Sequence, residues 1–312
     1  MRKMFGIGLP SPSKFIWPVF VVEGNGVKTP VNSMPEQFRY SPDMLLEDLH
    51  KLVGIGIGGV MIFGVVLEPY GKSPYPEYSY SEEGAVQRAV ALIKMNYPEL
   101  LVCTDVCLCA YTTHGHCCVF DDCGKMDMDK TNNILSKIAL SHAQAGSDCV
   151  APSAMMDGQV AAIRKTLDDN HLKETLIMSY STKFASSMYG PFRSASDCAP
   201  QFGDRKAYQL PSNDINQAIR ESLQDEEEGA DMLMVKPSLF YLDIISKIKS
   251  ESRLPLAAYN VSGEYSMIYA SAKSGYGDLY SMASESLLSI FRAGADVVLS
   301  YWSNQYDKLF KN

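Results

Sequence analysis

Residues 228–237, EGADMLMVKP, contain the pattern on which the fold of this chain depends. Gly229 precedes an apolar run of strand length that closes on Lys236. The same junction recurs as AGSDCVAP from Ala145 and as AGADVVLS from Ala293. A glycine at this point suits the left-handed position that ends a helix, where a side chain would clash. The chain therefore repeats one helix-to-strand unit.

Apolar runs of strand length alternate along the chain with segments that have helical spacing of apolar residues. Strands that are apolar on both faces indicate a parallel sheet, and eight units in series favour a closed (β/α)₈ TIM barrel over a doubly wound open sheet. We expect an α/β protein with a short arm at 1–14 and one catalytic barrel domain at 15–312. The expected strands are 15–22, 59–66, 100–108, 148–155, 175–182, 231–237, 254–262 and 296–302. The expected helices begin near Ser41, Glu82, Asp129, Asp157, Asn213, Leu239, Glu264 and Ser281.

The composition limits the classes of partner. The chain has 312 residues, 46% of them hydrophobic, and a net charge of −8 without a basic run. This charge argues against nucleic acid or an anionic membrane surface as partner. No apolar stretch is long enough to span a bilayer, and the first residues lack the apolar region of a signal peptide. We expect a soluble, cytoplasmic protein, with an organellar origin left open if the N-terminus has been trimmed.

Two lysines close apolar strands. Lys236 ends one run, and Lys183 ends a second, TLIMSYSTKF at 175–184. At a separation of about 6 Å and an effective dielectric of about 20, two ammonium groups repel by about 3 kcal/mol. At least one amine should then be neutral near pH 7 and able to form a Schiff base with a carbonyl. The alternative is that each lysine only extends its amine from a strand end into solvent.

Reactive side chains collect where strands end. In a barrel, catalytic groups belong at the carboxyl ends of the strands, so this coincidence favours the catalytic interpretation of the lysines. The residues at such ends or just beyond are Lys183, Lys236, Asp105, Cys107, Ser153, Ser262 and Tyr301.

A cysteine-rich loop follows the third strand, at 103–118, CTDVCLCAYTTHGHCC. Cys107, Cys109 and Cys117 offer three thiolates, and three protein ligands with an open fourth position are the plan of a catalytic zinc site. Thiolates are soft ligands, which favours zinc over magnesium or calcium. Further possible ligands are Cys118, His114 and His116. A structural zinc, or reduced cysteines without metal, remain alternatives.

The segment at 184–212 is too long for a simple connection, and we expect it to form a lid over the active face. Arg193, Arg205, Lys206 and Gln209 lie within it. Arginine binds carboxylates in two-point geometry, so a lid with two arginines suggests an anionic substrate. Solvated surface charge is the competing interpretation.

With these residues in hand, the sequence resembles the porphobilinogen synthase family, also called 5-aminolaevulinate dehydratase, over almost its whole length. The resemblance rests on six motifs: DVCLCAYTTHGHC from Asp105, APSAMMDGQ from Ala151, SYSTKFASSMYGPFR from Ser179, GDRKAYQ from Gly203, GADMLMVKP from Gly229 and YNVSGEY from Tyr259. It implies an enzyme of tetrapyrrole biosynthesis that condenses two molecules of 5-aminolaevulinate to porphobilinogen with loss of two waters.

The resemblance also implies roles for individual residues. Lys236 would form an imine with the first substrate, and Lys183 with the second. Carboxylates would meet Ser262 and Tyr301 for the first substrate, and Arg193, Arg205 and Gln209 for the second. Asp105, Ser153 and Tyr189 would belong to the same pocket. Cys107, Cys109 and Cys117 match zinc ligands, and Glu221 matches a carboxylate that holds an allosteric magnesium in some members.

Two departures from the family pattern concern assembly and the metal loop. Cys118 stands where glycine is usual, and the arm at 1–14 is shorter than the arm that embraces a neighbouring subunit. A homo-oligomer is expected, but the octamer usual for the family is in doubt. A one-lysine class I aldolase and a zinc-binding regulatory protein are the competing functions. A one-lysine aldolase would have no use for the three thiols of the cysteine loop. A regulatory protein descended from such an enzyme would have lost a lysine or an arginine of the pocket, and none of these is missing here.

Overall fold

Eight parallel strands of this chain close into a barrel. The computed structural model describes residues 8–67 and 71–310. Its strands are β1 (Phe15–Val21), β2 (Lys28–Pro30), β3 (Phe38–Tyr40), β4 (Gly59–Gly64), β5 (Leu101–Val106), β6 (Cys149–Pro152), β7 (Leu176–Lys183), β8 (Met232–Lys236), β9 (Leu256–Asn260) and β10 (Val297–Ser300). β1 pairs in parallel with β4 and with β10, and each strand from β4 to β10 pairs with the next. The predicted (β/α)₈ barrel and all eight predicted strands are confirmed.

Helices surround the barrel. Those in the described residues are α1 (Pro42–Ile55), α2 (Ala85–Asn96), α3 (Met128–Gln144), α4 (Gln159–Asp169), α5 (Gly190–Ala195), α6 (Ile215–Glu227), α7 (Leu242–Glu251), α8 (Ser262–Lys273), α9 (Leu279–Ala293) and α10 (Tyr306–Phe310). Three begin with an aspartate whose carboxylate accepts a hydrogen bond from a backbone N–H of the first turn: Asp127, Asp214 and Asp278. Each predicted helix start lies within a few residues of an observed one. The short α5 and α10 were not predicted as separate helices.

The repeated junctions share one geometry, which explains the sequence repeat. Their glycines have positive φ angles, 105° at Gly146, 103° at Gly229 and 119° at Gly294. The aspartate two residues later accepts a 2.8 Å hydrogen bond from the backbone N–H near the start of the preceding barrel strand. These pairs are Asp148 with Val102, Asp231 with Ile177 and Asp296 with Leu256. The repeat therefore fastens strand starts together at the end of the barrel opposite the lysines.

A small antiparallel hairpin of β2 and β3 was not predicted, because three-residue strands carry too little periodicity. β3 also pairs with the end of β1, at the mouth of the barrel. Arg39 of β3 donates hydrogen bonds to the carbonyl oxygens of Ala195, at 2.7 Å, and Ser194, at 2.9 Å. The hairpin thus holds part of the 184–212 segment over the mouth.

The remaining connections include the predicted arm and lid. Residues 1–7 of the arm lie outside the described residues, and Pro12–Lys14 form a short 3₁₀ turn before β1. Residues 184–212, called the lid segment below, contain the turn Ser187–Tyr189 and helix α5.

Candidate active site

Lys183 and Lys236 end adjacent strands and pair with each other in register. Ser179 pairs with Leu233 but Thr182 pairs with Val235, so β7 carries one extra residue in between. Without this bulge Lys236 would align with Thr182, and Lys183 would fall one residue out of step. Each lysine is only 5% exposed. The structure therefore brings the two predicted amines to one mouth of the barrel.

Aromatic rings surround the Lys236 amine. Its Nζ lies 4.4 Å from the ring centre of Tyr259, 4.9 Å from Tyr180, 5.2 Å from Phe192 and 5.4 Å from Tyr189. Burial, together with the positive charge of Lys183, lowers the pKa of Lys236 to about 7. Ring faces attract cations, but removal from water outweighs that attraction here. A large fraction of Lys236 is therefore the neutral amine near pH 7.

The second amine has polar neighbours. Lys183 Nζ donates a 2.5 Å hydrogen bond to the carbonyl oxygen of Ser153 and lies 5.7 Å from the Tyr180 ring centre. Asp105, at the end of β5, lies near the Ser153 side chain. Burial raises the pKa of Asp105, and the two lysines oppose this effect. Its Oδ1 has no partner within the described chain. Asp105, Ser153 and both lysines thus adjoin one another, as the sequence predicts.

Three thiols form one compact group beside the lysines. The Sγ atoms of Cys107, Cys109 and Cys117 all lie within 4.8 Å of one another, and the first two are 3.5 Å apart. All three side chains are buried. Hydrogen bonding within the group raises the pKa of Cys107 and lowers that of Cys109. Three convergent soft donors in a buried pocket fit a zinc-type cation.

The other possible ligands are not part of this group. His116 uses both ring nitrogens, with the Tyr208 hydroxyl at 3.0 Å and the Phe202 carbonyl oxygen at 2.9 Å. His114 Nδ1 accepts a 3.1 Å hydrogen bond from the backbone N–H of His116. Cys118 is buried outside the group, and burial raises its pKa to about 12.

Buried polar atoms without partners mark the predicted carboxylate binders. In the described residues, Arg193 Nε, Arg205 Nε and both amide atoms of Gln209 lack hydrogen-bond partners. Arg205 and Gln209 are 5% and 3% exposed. A buried donor without an acceptor is costly, and a bound carboxylate would supply acceptors. These residues therefore fit an anionic ligand.

The other predicted binders already have protein partners. Ser262 Oγ accepts a 2.9 Å hydrogen bond from the backbone N–H of Phe192, in the lid segment. The Tyr301 hydroxyl lies 3.0 Å from that of Tyr259, and the Tyr189 hydroxyl donates to the Phe184 carbonyl oxygen at 2.7 Å. Ser262 is therefore occupied by the lid segment itself.

A very small cavity lies between the lid segment and the cysteine loop at the mouth. Phe63, Asp105, Cys107 and Phe192 border a cavity of about 10 Å³. That is room for about one water. Phe192 belongs to the lid segment and its ring lies 5.2 Å from Lys236 Nζ, so the lid segment covers this amine in the structure.

Glu221 lies away from the mouth, in a larger cavity of about 520 Å³ outside the barrel. Asp157, Asp225 and Gln209 also border this cavity. Burial and the charge of Asp157 raise the pKa of Glu221, and burial raises that of Asp225 to about 7. Gln209 links this cavity to the lid segment.

Sequence reasoning did not assign Tyr180, Tyr259, Phe192 or Glu264 to the site. The rings were detectable, since Tyr180 stands three residues before Lys183 and Phe192 directly before Arg193. Glu264 is fully buried and accepts hydrogen bonds from the backbone N–H groups of Ser238, Leu239 and Val261. It holds the turn that follows Lys236, and only the fold reveals that link.

A (β/α)₈ barrel with paired buried lysines and a thiol cluster at its carboxyl-terminal mouth has the architecture of an enzyme active site. Residues 1–309 match the family model for Delta-aminolevulinic acid dehydratase, and the chain belongs to this family. The family activity, porphobilinogen synthase, is a hydro-lyase reaction of tetrapyrrole biosynthesis and depends on a metal. The Cys107, Cys109 and Cys117 group could bind a metal ion.

Relatives with this name cover nearly the whole chain. A Delta-aminolevulinic acid dehydratase of Methanothermobacter thermautotrophicus is 50% identical over 94% of this chain and 88% of its own length. One of Bacillus subtilis is 46% identical over 96% and 92%. The Toxoplasma gondii enzyme, solved in complex with the product porphobilinogen, has a TM-score of 0.95 at 42% identity, covering 98% of this chain and 87% of that one.

A structure described as an aldolase also resembles this chain, with a TM-score of 0.50 at 12% identity. At that identity the likeness shows the barrel alone. Among the described helices, none is both long and apolar enough to cross a membrane.

Proposed function

We propose that the porphobilinogen synthase reaction of this chain proceeds through imines on Lys236 and Lys183. The observation that carries the proposal is the in-register pairing of these two buried lysines, one of which has its pKa lowered to about 7. A neutral amine can attack the ketone carbon of 5-aminolaevulinate, and the ketone oxygen leaves as water. The two ketone oxygens leave as the two waters of the overall reaction, so both lysine–carbon bonds have to be released by amine exchange or elimination, not by hydrolysis.

The two amines have different surroundings, which supports different tasks. Lys236 lies among rings, where its neutral form is favoured, so it binds the first substrate. Lys183 is held by the Ser153 carbonyl oxygen close to Asp105. Asp105 is placed to accept and return protons while Lys183 exchanges water and substrate. Ser153 and Tyr189 orient the two lysines.

The carboxylates of the two substrates bind at opposite sides of the mouth. Arg193, Arg205 and Gln209 receive the carboxylate of the second substrate, because their buried polar atoms lack partners. Ser262 and Tyr301 receive the other carboxylate. Ser262 is free to do so once the Phe192 N–H withdraws with the lid segment. The lid segment then closes over both substrates and excludes water.

Cys107, Cys109 and Cys117 would hold a catalytic Zn²⁺, for which their soft sulfur donors are suited. When bound there, the ion would supply Lewis-acid polarisation of a substrate atom. Exhaustive chelation is expected to abolish activity, and zinc is expected to restore it. Full activity in protein shown to be free of metal would reject this assignment.

Glu221 would hold an activating Mg²⁺ outside the active site. Its cavity is bordered by two further carboxylates, of Asp157 and Asp225. Gln159 borders the same cavity and is 3% exposed, with an amide oxygen that lacks a partner in the described chain. Glu221→Gln should remove stimulation by magnesium while zinc content stays unchanged. A retained magnesium response would reject the site.

We further propose a cytoplasmic homo-oligomer, with the arm at 1–14 as a contact between subunits. Both the octamer usual for the family and a smaller assembly are compatible with this proposal. Light scattering in solution, with and without residues 1–14, measures the assembly. An octamer that survives removal of the arm would reject this role.

The imine roles are tested with Lys183→Met and Lys236→Met, assayed by colour development from porphobilinogen. Each substitution should lower the rate by at least about a thousandfold, because removal of a covalent nucleophile costs several orders of magnitude. Lys173→Met, at an exposed position, is the matched control. Near-normal activity in either pocket variant would contradict the two-imine scheme.

A further inference from the structure

One buried cysteine of the lid segment has no role in the site as described so far. Cys198 is completely buried, and its thiol lies near the side chain of Cys109, which lowers the pKa of Cys198. It also lies close to the guanidinium group of Arg205. A core cysteine would pack among apolar groups, whereas this one meets a member of the three-thiol group.

The backbone of the lid segment packs closely against the cysteine loop next to Cys198. Gly115 has a φ of 69°, and a Cβ there would collide with the carbonyl oxygen of Ala199, the residue after Cys198. Arg205 Nη2 donates hydrogen bonds to the carbonyl oxygens of Gly115, at 2.8 Å, and of Cys198, at 2.5 Å. A single guanidinium group thus ties the two segments together beside the thiols.

Two further contacts hold the chain on either side of Cys198. Gln201 N–H donates a 3.0 Å hydrogen bond to the carbonyl oxygen of His114. Lys72 pairs with the carboxylate of Asp197 at 2.7 Å. Cys198 is therefore held between fixed points, with its side chain on the metal-facing side of the lid segment.

A tetrahedral cation bound by the three thiolates would need a fourth ligand. Three thiolates give a tetrahedral cation only three of its four ligands. His116 is engaged through both ring nitrogens, and Cys118 lies outside the group. Four thiolates around a divalent cation leave a net charge of −2, and the buried Arg205 offsets part of it.

We propose that Cys198 is a fourth thiolate ligand of this metal centre, donated by the lid segment in its closed, substrate-free position. The inference rests on the proposed zinc site. Cys198 is not within 4.8 Å of all three sulfurs, so its side chain turns toward the ion as it binds. Its thiol then releases its proton to solvent.

This ligand couples the metal to the lid segment. With four sulfurs bound the site is closed, and Cys198 has to leave before a substrate atom can take its position. Metal binding therefore favours the substrate-free position of the lid segment, and the lid segment closes again over bound substrate with Cys198 turned away from the ion.

The test uses the reduced full-length protein loaded with Co²⁺, whose sulfur-to-metal charge-transfer absorption reports the number of thiolates. Cys198→Ser should lower this absorption by about a quarter, as four thiolates become three. It should also weaken Zn²⁺ binding by at least about tenfold. Cys118→Ser, at a buried thiol outside the group, should change neither quantity.

A second measurement needs no substitution. In the wild-type protein, Zn²⁺ should slow alkylation of Cys198 in parallel with Cys107 and Cys109, while Cys149 in the barrel wall is unaffected. An unchanged cobalt spectrum in Cys198→Ser, or alkylation of Cys198 that ignores zinc, would overturn the inference and leave the three-cysteine site intact. Failure of the wild type to bind either ion would reject the metal site itself.

Discussion

Lys183 pairs in register with Lys236 because β7 carries an extra residue between Ser179 and Thr182. The bulge aligns the two strand ends, so that both lysine amines lie at the same mouth of the barrel. Burial and the charge of Lys183 lower the pKa of Lys236 to about 7. The chemistry assigned to the site depends on this pairing.

Removal of the Lys183 charge should raise the pKa of Lys236. At the distances of a shared site the repulsion corresponds to about one to two pK units, so Lys183→Met should move the pH profile of Lys236 upward by that amount. Reductive methylation with formaldehyde, followed by mass mapping, measures the profile. Lys173→Met is the control, and an unmoved profile in Lys183→Met would mean that the amines do not interact.

Lys236 should also impose a cost on stability that depends on pH. The pKa is about 7 in the folded protein and ordinarily 10.5. The unfolded chain binds more protons between these values, so the cost is largest below pH 7 and disappears as pH rises toward 10.5. Lys236→Met should therefore stabilise the protein by about 1–4 kcal/mol at pH 6 to 7. Denaturant unfolding at several pH values measures this. A gain that grows with pH would have the wrong sign.

Glu264 should act as a positioning residue for Lys236. Both oxygens of its carboxylate accept hydrogen bonds from backbone N–H groups. The NH₂ group of a glutamine would replace one of these acceptors with a donor that faces another donor. Glu264→Gln should cost about 1–3 kcal/mol of unfolding free energy. Imine formation at Lys236 should slow, while zinc content stays normal. Glu285→Gln, on the partly exposed α9, is the comparison. Equal effects of the two substitutions would exclude a special role.

A side chain at the repeated glycines should destabilise the protein, because each has a positive φ angle. Gly294 has a φ of 119°, and a Cβ there would lie 3.1 Å from Lys249 Cγ. Gly294→Ala should destabilise the protein by about 1–3 kcal/mol. Gly54→Ala, in α1 with open space around it, should be neutral or stabilising. Thermal unfolding compares the two, and similar melting temperatures would show that the junction geometry is not needed.

The barrel could be predicted because its signals are local. Apolar runs, glycine junctions and helix starts each depend on a few neighbouring residues. Their repetition around Gly146, Gly229 and Gly294 indicates that one structural unit recurs along the chain. The hairpin of β2 and β3 escaped prediction, since its strands gain their stability from β1 and from contacts to the lid segment.

The site could be predicted in part for the same reason. Lysines and cysteines stand out at strand ends, but the ring of Tyr259, the carboxylate of Glu264 and the thiol of Cys198 reach the site from distant segments. Their sequence neighbourhoods look like an ordinary strand, helix and loop, respectively. The bulge that aligns the lysines is likewise a property of paired strands, which no single stretch of sequence encodes.

The central claim is that both buried amines form imines with substrate. Incubation with 5-aminolaevulinate and borohydride, followed by proteolysis and mass mapping, tests it directly. We expect reduced adducts on Lys236 and on Lys183, with Lys173 unmodified. Adducts on neither pocket lysine, in protein that still forms porphobilinogen, would contradict the account.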